Sequence, residues 1–111
     1  MVAWPIADIV SYYDQRIASL EDTEYADFWE EEVLLLLSNR DGLHDRWSEL
    51  STEQRSHVLS LDKWLVIHHQ LISEYAGLPN PNVTDRSYWW WFLHEGPQVM
   101  EQALAAPRDV A

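Results

Sequence analysis

The chain has 111 residues, no cysteine, 47% hydrophobic residues and a formal charge of −12, from nineteen acidic and seven basic side chains. This length suits one domain with a real core, and the lack of cysteine excludes disulfides, thiolate metal sites and a cysteine nucleophile. The charge disfavours binding to nucleic-acid phosphates and to anionic membranes, whereas it attracts a basic protein partner. Alternatively, the negative charge serves only to keep the protein soluble and indicates no partner.

The apolar runs are short. The longest are Val33–Leu37 and Tyr88–Leu93, far below the length of a membrane span. The start of the chain has no basic region, and Asp8 interrupts the residues that follow, so no signal peptide is expected. The sequence therefore predicts a soluble, cytoplasmic protein that does not bind membranes.

Two helices are predicted in the first third of the chain. Pro5 suits a first helical position, and apolar residues then recur at helical spacing up to Leu20. Thr23 is a candidate cap for the second helix, which Arg40-Asp41-Gly42 is expected to end. The inner face of this second helix is predicted to comprise Tyr25, Phe28, Trp29, Val33, Leu36 and Leu37. A short helix is expected next, with Leu43, Trp47 and Leu50 on one side.

The clearest pattern is one long helix from about residue 52 to 76. Ser51 and Gln54 match a capping box at its start, while Gly77 and Pro79 are typical of the residues just past a helix end. Seven turns would make a rod of roughly 35–40 Å. Its apolar residues cover about half of its circumference, as expected for the central helix of a bundle.

The last third is predicted to hold two more helices. After a loop at residues 79–82, Thr84 or Asp85 is expected to cap a helix through Tyr88–Leu93, and Gly96-Pro97 separates it from a short final helix. The tail is expected to fray from about residue 106. The predicted fold is a single all-α domain over residues 1–111, a compact antiparallel bundle of four to six helices around the long one.

An acidic helix face is the first candidate site. Residues 21–32 contain seven acids and no base, and Asp27, Glu30 and Glu31 share the outward side of the helix with Leu34. We interpret this face as a docking surface for a basic partner, with a plain solvated face as the alternative. Leu34 and Leu35 make the helix end apolar on nearly every side, which predicts cover from two directions.

The tryptophan run is the second candidate site. Three consecutive α-helical residues spread over about 200°, so Trp89, Trp90 and Trp91 cannot all face one core. We expect Trp89 or Trp90 to reach the surface and anchor a partner or a second copy of the chain. Cover by the final helix, or by the N-terminal arm with Trp4, is the alternative.

Three polar residues fall among apolar ones. His57 and His68 lie on the apolar arc of the long helix, and Glu32 is predicted to face inward, where a carboxylate needs a partner or a raised pKa. They are candidate polar groups of a pocket, although buried histidines are usually satisfied by a carbonyl or a hydroxyl. The Glu-x-x-His pattern of di-iron bundles is absent, so no metal and no cofactor are predicted.

These features lead to three functional hypotheses. The first is a non-enzymatic, adaptor- or inhibitor-like module that docks a basic partner or itself. The second is a small-ligand or cofactor-binding helical bundle with an aromatic-lined pocket. The third is an enzyme that uses Glu32 and His68 as an acid–base pair. No Gly-x-Ser-x-Gly elbow occurs, and no catalytic residue is predicted.

Overall fold

The computed structural model describes residues 4–22 and 29–105, and within these ranges every regular element is helical. Five α-helices are present: α1 (Ile6–Asp22), α2 (Trp29–Asp45), α3 (Thr52–Ile67), α4 (His69–Ala76) and α5 (Val99–Ala105). Two 3-10 helices span Trp47–Glu49 and Trp89–Glu95. The predicted all-α class is confirmed. None of the helices in the described ranges has the length and apolar character needed to cross a membrane.

Helices α1 and α2 pack along each other, and α2 is longer than predicted. The expected stop at Arg40-Asp41-Gly42 is wrong, because α2 continues to Asp45. Gly42 faces α1, where a Cβ atom added to it would be in ordinary van der Waals contact with Ile9 Cγ2 at 3.9 Å. The predicted cap at Thr23, the inner residues Tyr25, Phe28 and Trp29, and the tail from residue 106 lie outside the described residues or side chains.

The ends of the predicted long helix are confirmed. Ser51 Oγ accepts from the Gln54 backbone N–H at 3.1 Å, and Gln54 Oε1 accepts from the Ser51 N–H at 2.9 Å, which is a capping box. Gly77 adopts a left-handed φ of 66°, and the N–H of Leu78 donates to the Ser73 carbonyl at 3.0 Å. These contacts satisfy backbone groups that a helix end leaves unpaired.

The middle of that helix differs from the prediction of one continuous rod. His68 has φ −101° and ψ 27°, and it separates α3 from α4. The break is local, because the His68 N–H still donates to the Trp64 carbonyl at 3.1 Å and the His68 carbonyl accepts from Ile72 at 3.0 Å. β-Branched and imidazole side chains at residues 66–69 have low helix propensity, which makes this the weakest stretch. Helix α4 packs against α2 and the second 3-10 helix.

The tryptophan run forms a 3-10 helix rather than the predicted α-helix. Its backbone is interrupted at Phe92, with φ −118° and ψ 19°, and α4 and α5 pack against it. Trp89, Trp90 and Trp91 are only 3%, 0% and 7% exposed. The prediction that Trp89 or Trp90 reaches the surface is therefore wrong. An α-helical wheel does not apply to a kinked 3-10 segment that has packed neighbours on several sides.

Candidate functional site

The outward side of α2 contains part of the predicted docking surface, namely Glu31 and Leu34. We use the name leucine face for these two residues together with their exposed neighbours Leu35 and Ser38. Leu34 is 38% exposed and Leu35 is 46% exposed. The cover predicted for these two leucines is therefore not provided by the described residues. Asp27 and the side chain of Glu30, which were assigned to the same surface, lie outside the described part of the chain.

The two glutamates of this helix have different surroundings. Within residues 4–22 and 29–105, Glu31 is exposed and forms no ion pair. Glu32 Oε2 lies 3.0 Å from Arg16 Nη1 of α1, and 36% of the Glu32 side chain is exposed. Arg16 Nε also donates to Asn39 Oδ1 at 2.7 Å. The expectation that Glu32 faces the core is wrong, because it bridges the α1–α2 boundary at the surface.

The two candidate histidines lie in separate places. His57 Nε2 is 2.9 Å from Asp14 Oδ2, and both side chains are nearly half exposed, so the prediction of a buried His57 is wrong. His68 lies at the α3–α4 break, where its ring is 4.4 Å from that of Trp64. Glu32, His57 and His68 thus have three different partners. The structure does not bring them together into one site.

A shallow depression borders His68. It measures about 200 Å³ and is lined by Ile67, His68, His69, Gln70 and Leu71. Its walls contain no tryptophan or tyrosine, so it does not match the predicted aromatic-lined pocket. Ile67 is 74% exposed beside it.

A buried network of three polar side chains was missed by the sequence analysis. Tyr13 donates its hydroxyl proton to Asp62 Oδ1 at 2.6 Å. Arg40 donates from Nε to Asp62 Oδ1 at 2.9 Å and from Nη2 to Asp62 Oδ2 at 3.1 Å. The three residues are 0%, 3% and 0% exposed in the order Tyr13, Arg40, Asp62. They join α1, α2 and α3, and we call them the buried triad.

The environment of the triad is apolar and aromatic. The Arg40 guanidinium carbon lies 5.1 Å from the ring centroid of Trp47 and 4.4 Å from that of Trp90, within cation–π range. Burial raises the pKa of the Asp62 carboxyl, an effect that Arg40 opposes. Burial, together with the charge of Asp62, raises the pKa of the Tyr13 hydroxyl. Because solvent is excluded, the triad connects three helices inside the core and presents no surface to a substrate.

Asp41 binds two of the three indole N–H groups of the tryptophan run. Its Oδ1 accepts from the indole N–H of Trp90 and from that of Trp91, both at 2.7 Å. Burial raises the pKa of Asp41, and the two indole hydrogen bonds oppose that rise. One carboxylate therefore satisfies both buried indole groups within the monomer.

A second polar cluster joins the end of α2 to the loop before the tryptophans. Ser87 donates its hydroxyl proton to Asp85 Oδ1 at 2.8 Å, and Ser87 Oγ lies 3.3 Å from His44 Nε2. A serine beside a histidine is the geometry of an activated nucleophile. Here the shorter contact directs the hydroxyl proton to Asp85 rather than to His44. Since Asp85 Oδ1 also accepts from the Ser87 backbone N–H, the arrangement fixes a turn.

The hydrogen bond between Tyr88, the residue after Ser87, and Asp45 at the end of α2 can be tested by a pH titration. It donates a hydrogen bond to Asp45, and this bond raises the pKa of Tyr88 from 10.0 to about 12. A raised pKa means that the stabilisation from this bond is complete below pH 10 and is lost between pH 10 and about 12. In an absorbance titration of tyrosinate, the step that Tyr88→Phe removes is expected near the upper value. Asp45→Asn should lower the pKa of Tyr88 from about 12 towards 10.0.

Asp14→Asn is the control, because Asp14 pairs with His57 and makes no hydrogen bond to Tyr88. It should leave the Tyr88 step unchanged. An unchanged step in Asp45→Asn would contradict the hydrogen bond as the cause of the shift.

In residues 4–22 and 29–105, no three His, Asp or Glu side chains lie close enough together to hold a metal ion. Comparison of the chain with protein-family models, with curated proteins and with solved structures finds no match.

Proposed function

We propose that the protein is a non-enzymatic interaction module that binds a basic protein partner through the leucine face of α2. One observation carries the proposal. Leu34 and Leu35, two adjacent large apolar side chains, are more than a third exposed beside Glu31, which forms no ion pair with any residue that the structure describes. Scattered exposed leucines are common, but this pair lies on the same side of α2 as the exposed Glu31, which belongs to the acidic run of the sequence.

The two kinds of side chain have different roles in such an interface. The leucines offer apolar area that a partner can remove from water, at about 25 cal/mol for each Å² buried. The acidic residues, in a chain of formal charge −12, attract lysine and arginine and raise the rate of encounter. The complementary partner is therefore an apolar surface flanked by basic residues. A second copy of the chain fits less well, because both copies carry the same negative charge.

Charge reversal and apolar truncation test this proposal. The chain is immobilised and exposed to host extract at low salt, and the affinity of the captured basic protein is measured for each variant. Glu31→Lys and the double variant Leu34→Ser/Leu35→Ser are each expected to weaken binding about tenfold, which corresponds to about 1.4 kcal/mol. Glu31→Lys should also flatten the dependence of binding on salt.

Two matched controls separate this face from the rest of the surface. Glu74→Lys makes the same charge change at an exposed residue of α4, and Ile67→Ser removes an exposed aliphatic side chain beside the α3–α4 break. Both should keep the affinity of the unaltered chain. Capture of no basic protein, or equal losses in the controls, would contradict the proposal. A dimer that Leu34→Ser/Leu35→Ser dissociates would show that the face binds a second copy instead.

A further inference from the structure

An exposed aromatic pair lies at the start of α1. Trp4 is 59% exposed and Tyr12 is 39% exposed. Their ring centroids are 5.5 Å apart and the ring planes meet at 80°, an edge-to-face arrangement. Three of the other tryptophans are at most 7% exposed, so Trp4 is unlike the tryptophans of the core.

The backbone of Trp4 is fixed although its ring is open to solvent. Arg46 Nη1 donates to the Trp4 carbonyl at 2.6 Å. Arg46 is itself held by Glu49, whose two carboxylate oxygens each lie 2.7 Å from a guanidinium nitrogen. The Pro5 carbonyl accepts from the Asp8 N–H at 3.0 Å, which joins the arm to the first turn of α1. These contacts therefore hold the Trp4 backbone in a position that leaves its ring exposed to solvent.

The charge around the pair is negative. Asp8 precedes Tyr12 by four residues, so both side chains lie on one face of α1. Asp8 is exposed and forms no ion pair within the described ranges. Two cations are nearby, and both are already paired: Arg46 with Glu49, and Arg16, which follows Tyr12 by four residues, with Glu32. A positively charged group that approaches the rings thus meets a carboxylate without a competing ion pair.

We propose that Trp4, Tyr12 and Asp8 form a binding site for a guanidinium group, supplied by an arginine of the basic partner. This inference rests on the proposed function and specifies one contact of the partner. Two ring faces at right angles attract a cation through their quadrupoles, and tryptophan does so most strongly. Arginine suits the site better than lysine, because its planar group stacks on a ring while its N–H groups donate to a carboxylate.

A peptide titration tests the site without the partner. The probe is acetyl-Gly-Arg-Gly-amide, and its neutral analogue has citrulline, which has the same shape, in place of arginine. The readout is the NMR signal of the Trp4 indole N–H, assigned as the signal that Trp4→Phe removes. The arginine peptide is expected to shift this signal saturably, with a dissociation constant in roughly the millimolar range, and the citrulline peptide is not.

Variants show which groups hold the cation. Asp8→Asn and Tyr12→Ala should each weaken the arginine peptide about threefold or more, whereas Tyr12→Phe keeps the ring and should bind like the unaltered chain. Leu34→Ser/Leu35→Ser should leave this titration unchanged, so its result does not depend on whether the leucine face binds a partner. Equal shifts with both peptides, or no shift with the arginine peptide, would overturn the proposal.

Discussion

Asp62→Ala is expected to lower the free energy of unfolding by about 3–5 kcal/mol, because it leaves the buried charge of Arg40 without its counter-ion. Asp62 is 0% exposed and accepts three hydrogen bonds, two from Arg40 and one from Tyr13. Small domains have a total stability of about 5–15 kcal/mol, so this single change removes a large share of it. Urea denaturation followed by circular dichroism measures the loss.

Two further variants define the cause. Asp14→Ala removes a half-exposed carboxylate of α1 that pairs with His57, and it should cost less than about 1 kcal/mol. The triple variant Tyr13→Phe/Arg40→Met/Asp62→Leu replaces every polar member of the triad by an apolar one, and it should recover most of the stability lost in Asp62→Ala. Equal effects of Asp62→Ala and Asp14→Ala would contradict the triad as a stabilising centre.

Trp90→Ala is the second large effect, with an expected loss of about 3–5 kcal/mol. The Trp90 ring is fully buried and lies 5.5 Å from the ring of Trp89. It also stacks on the guanidinium of Arg40, and its N–H donates to Asp41. The substitution leaves a cavity and removes one of the two aromatic rings that contact the buried Arg40 guanidinium. The same urea denaturation measures the change.

Trp90→Phe and Trp4→Ala are the matched controls. Trp90→Phe keeps an aromatic ring and loses the N–H, so it should cost less than the alanine variant. Trp4→Ala removes an indole that is 59% exposed, and it should change the unfolding free energy by less than about 1 kcal/mol. If Trp90→Ala were as mild as Trp4→Ala, the assignment of Trp90 to the packed core would be wrong.

Local patterns in the sequence predicted the helices that depend on local interactions. The spacing of apolar residues located α1, and the Ser51–Gln54 capping box located the start of α3. The break at His68 was not predicted, because apolar residues recur at helical spacing on both sides of it. Helix α2 continues past Gly42 to Asp45, although Arg40-Asp41-Gly42 is the local pattern that favoured a stop.

The buried triad was missed for a related reason. Arg40 and Asp62 are 22 residues apart, and charged residues in helices are usually at the surface. A signal was present, since Asp62 falls between Val58 and Leu65 on the apolar side of α3 and all three are buried. Arg40 lies three residues before Leu43 and after Leu37, both also buried. Because Arg40 and Asp62 have opposite charges and each lies on the apolar face of its helix, the sequence could have been used to predict that they pair.

The candidate surface was predicted in part. Glu31 and Leu34 are exposed on one side of α2, as their helical spacing indicated, although their role in binding stays a prediction. Trp89 and Trp90 were assigned to the surface because an α-helical wheel was applied to a 3-10 segment. The exposed pair Trp4–Tyr12 depends on where Arg46 holds the arm, and that tertiary contact is invisible in the sequence.

The buried triad also has a consequence for how the chain unfolds. Arg40 alone, or Arg40 with only one of its partners, would sit in a partly dehydrated environment with an unmet charge. The buried triad is stable only when α1, α2 and α3 pack together. Partly folded forms that contain only one or two of these helices are therefore less stable. An arrangement of this kind favours all-or-none cooperativity over stepwise loss of individual helices.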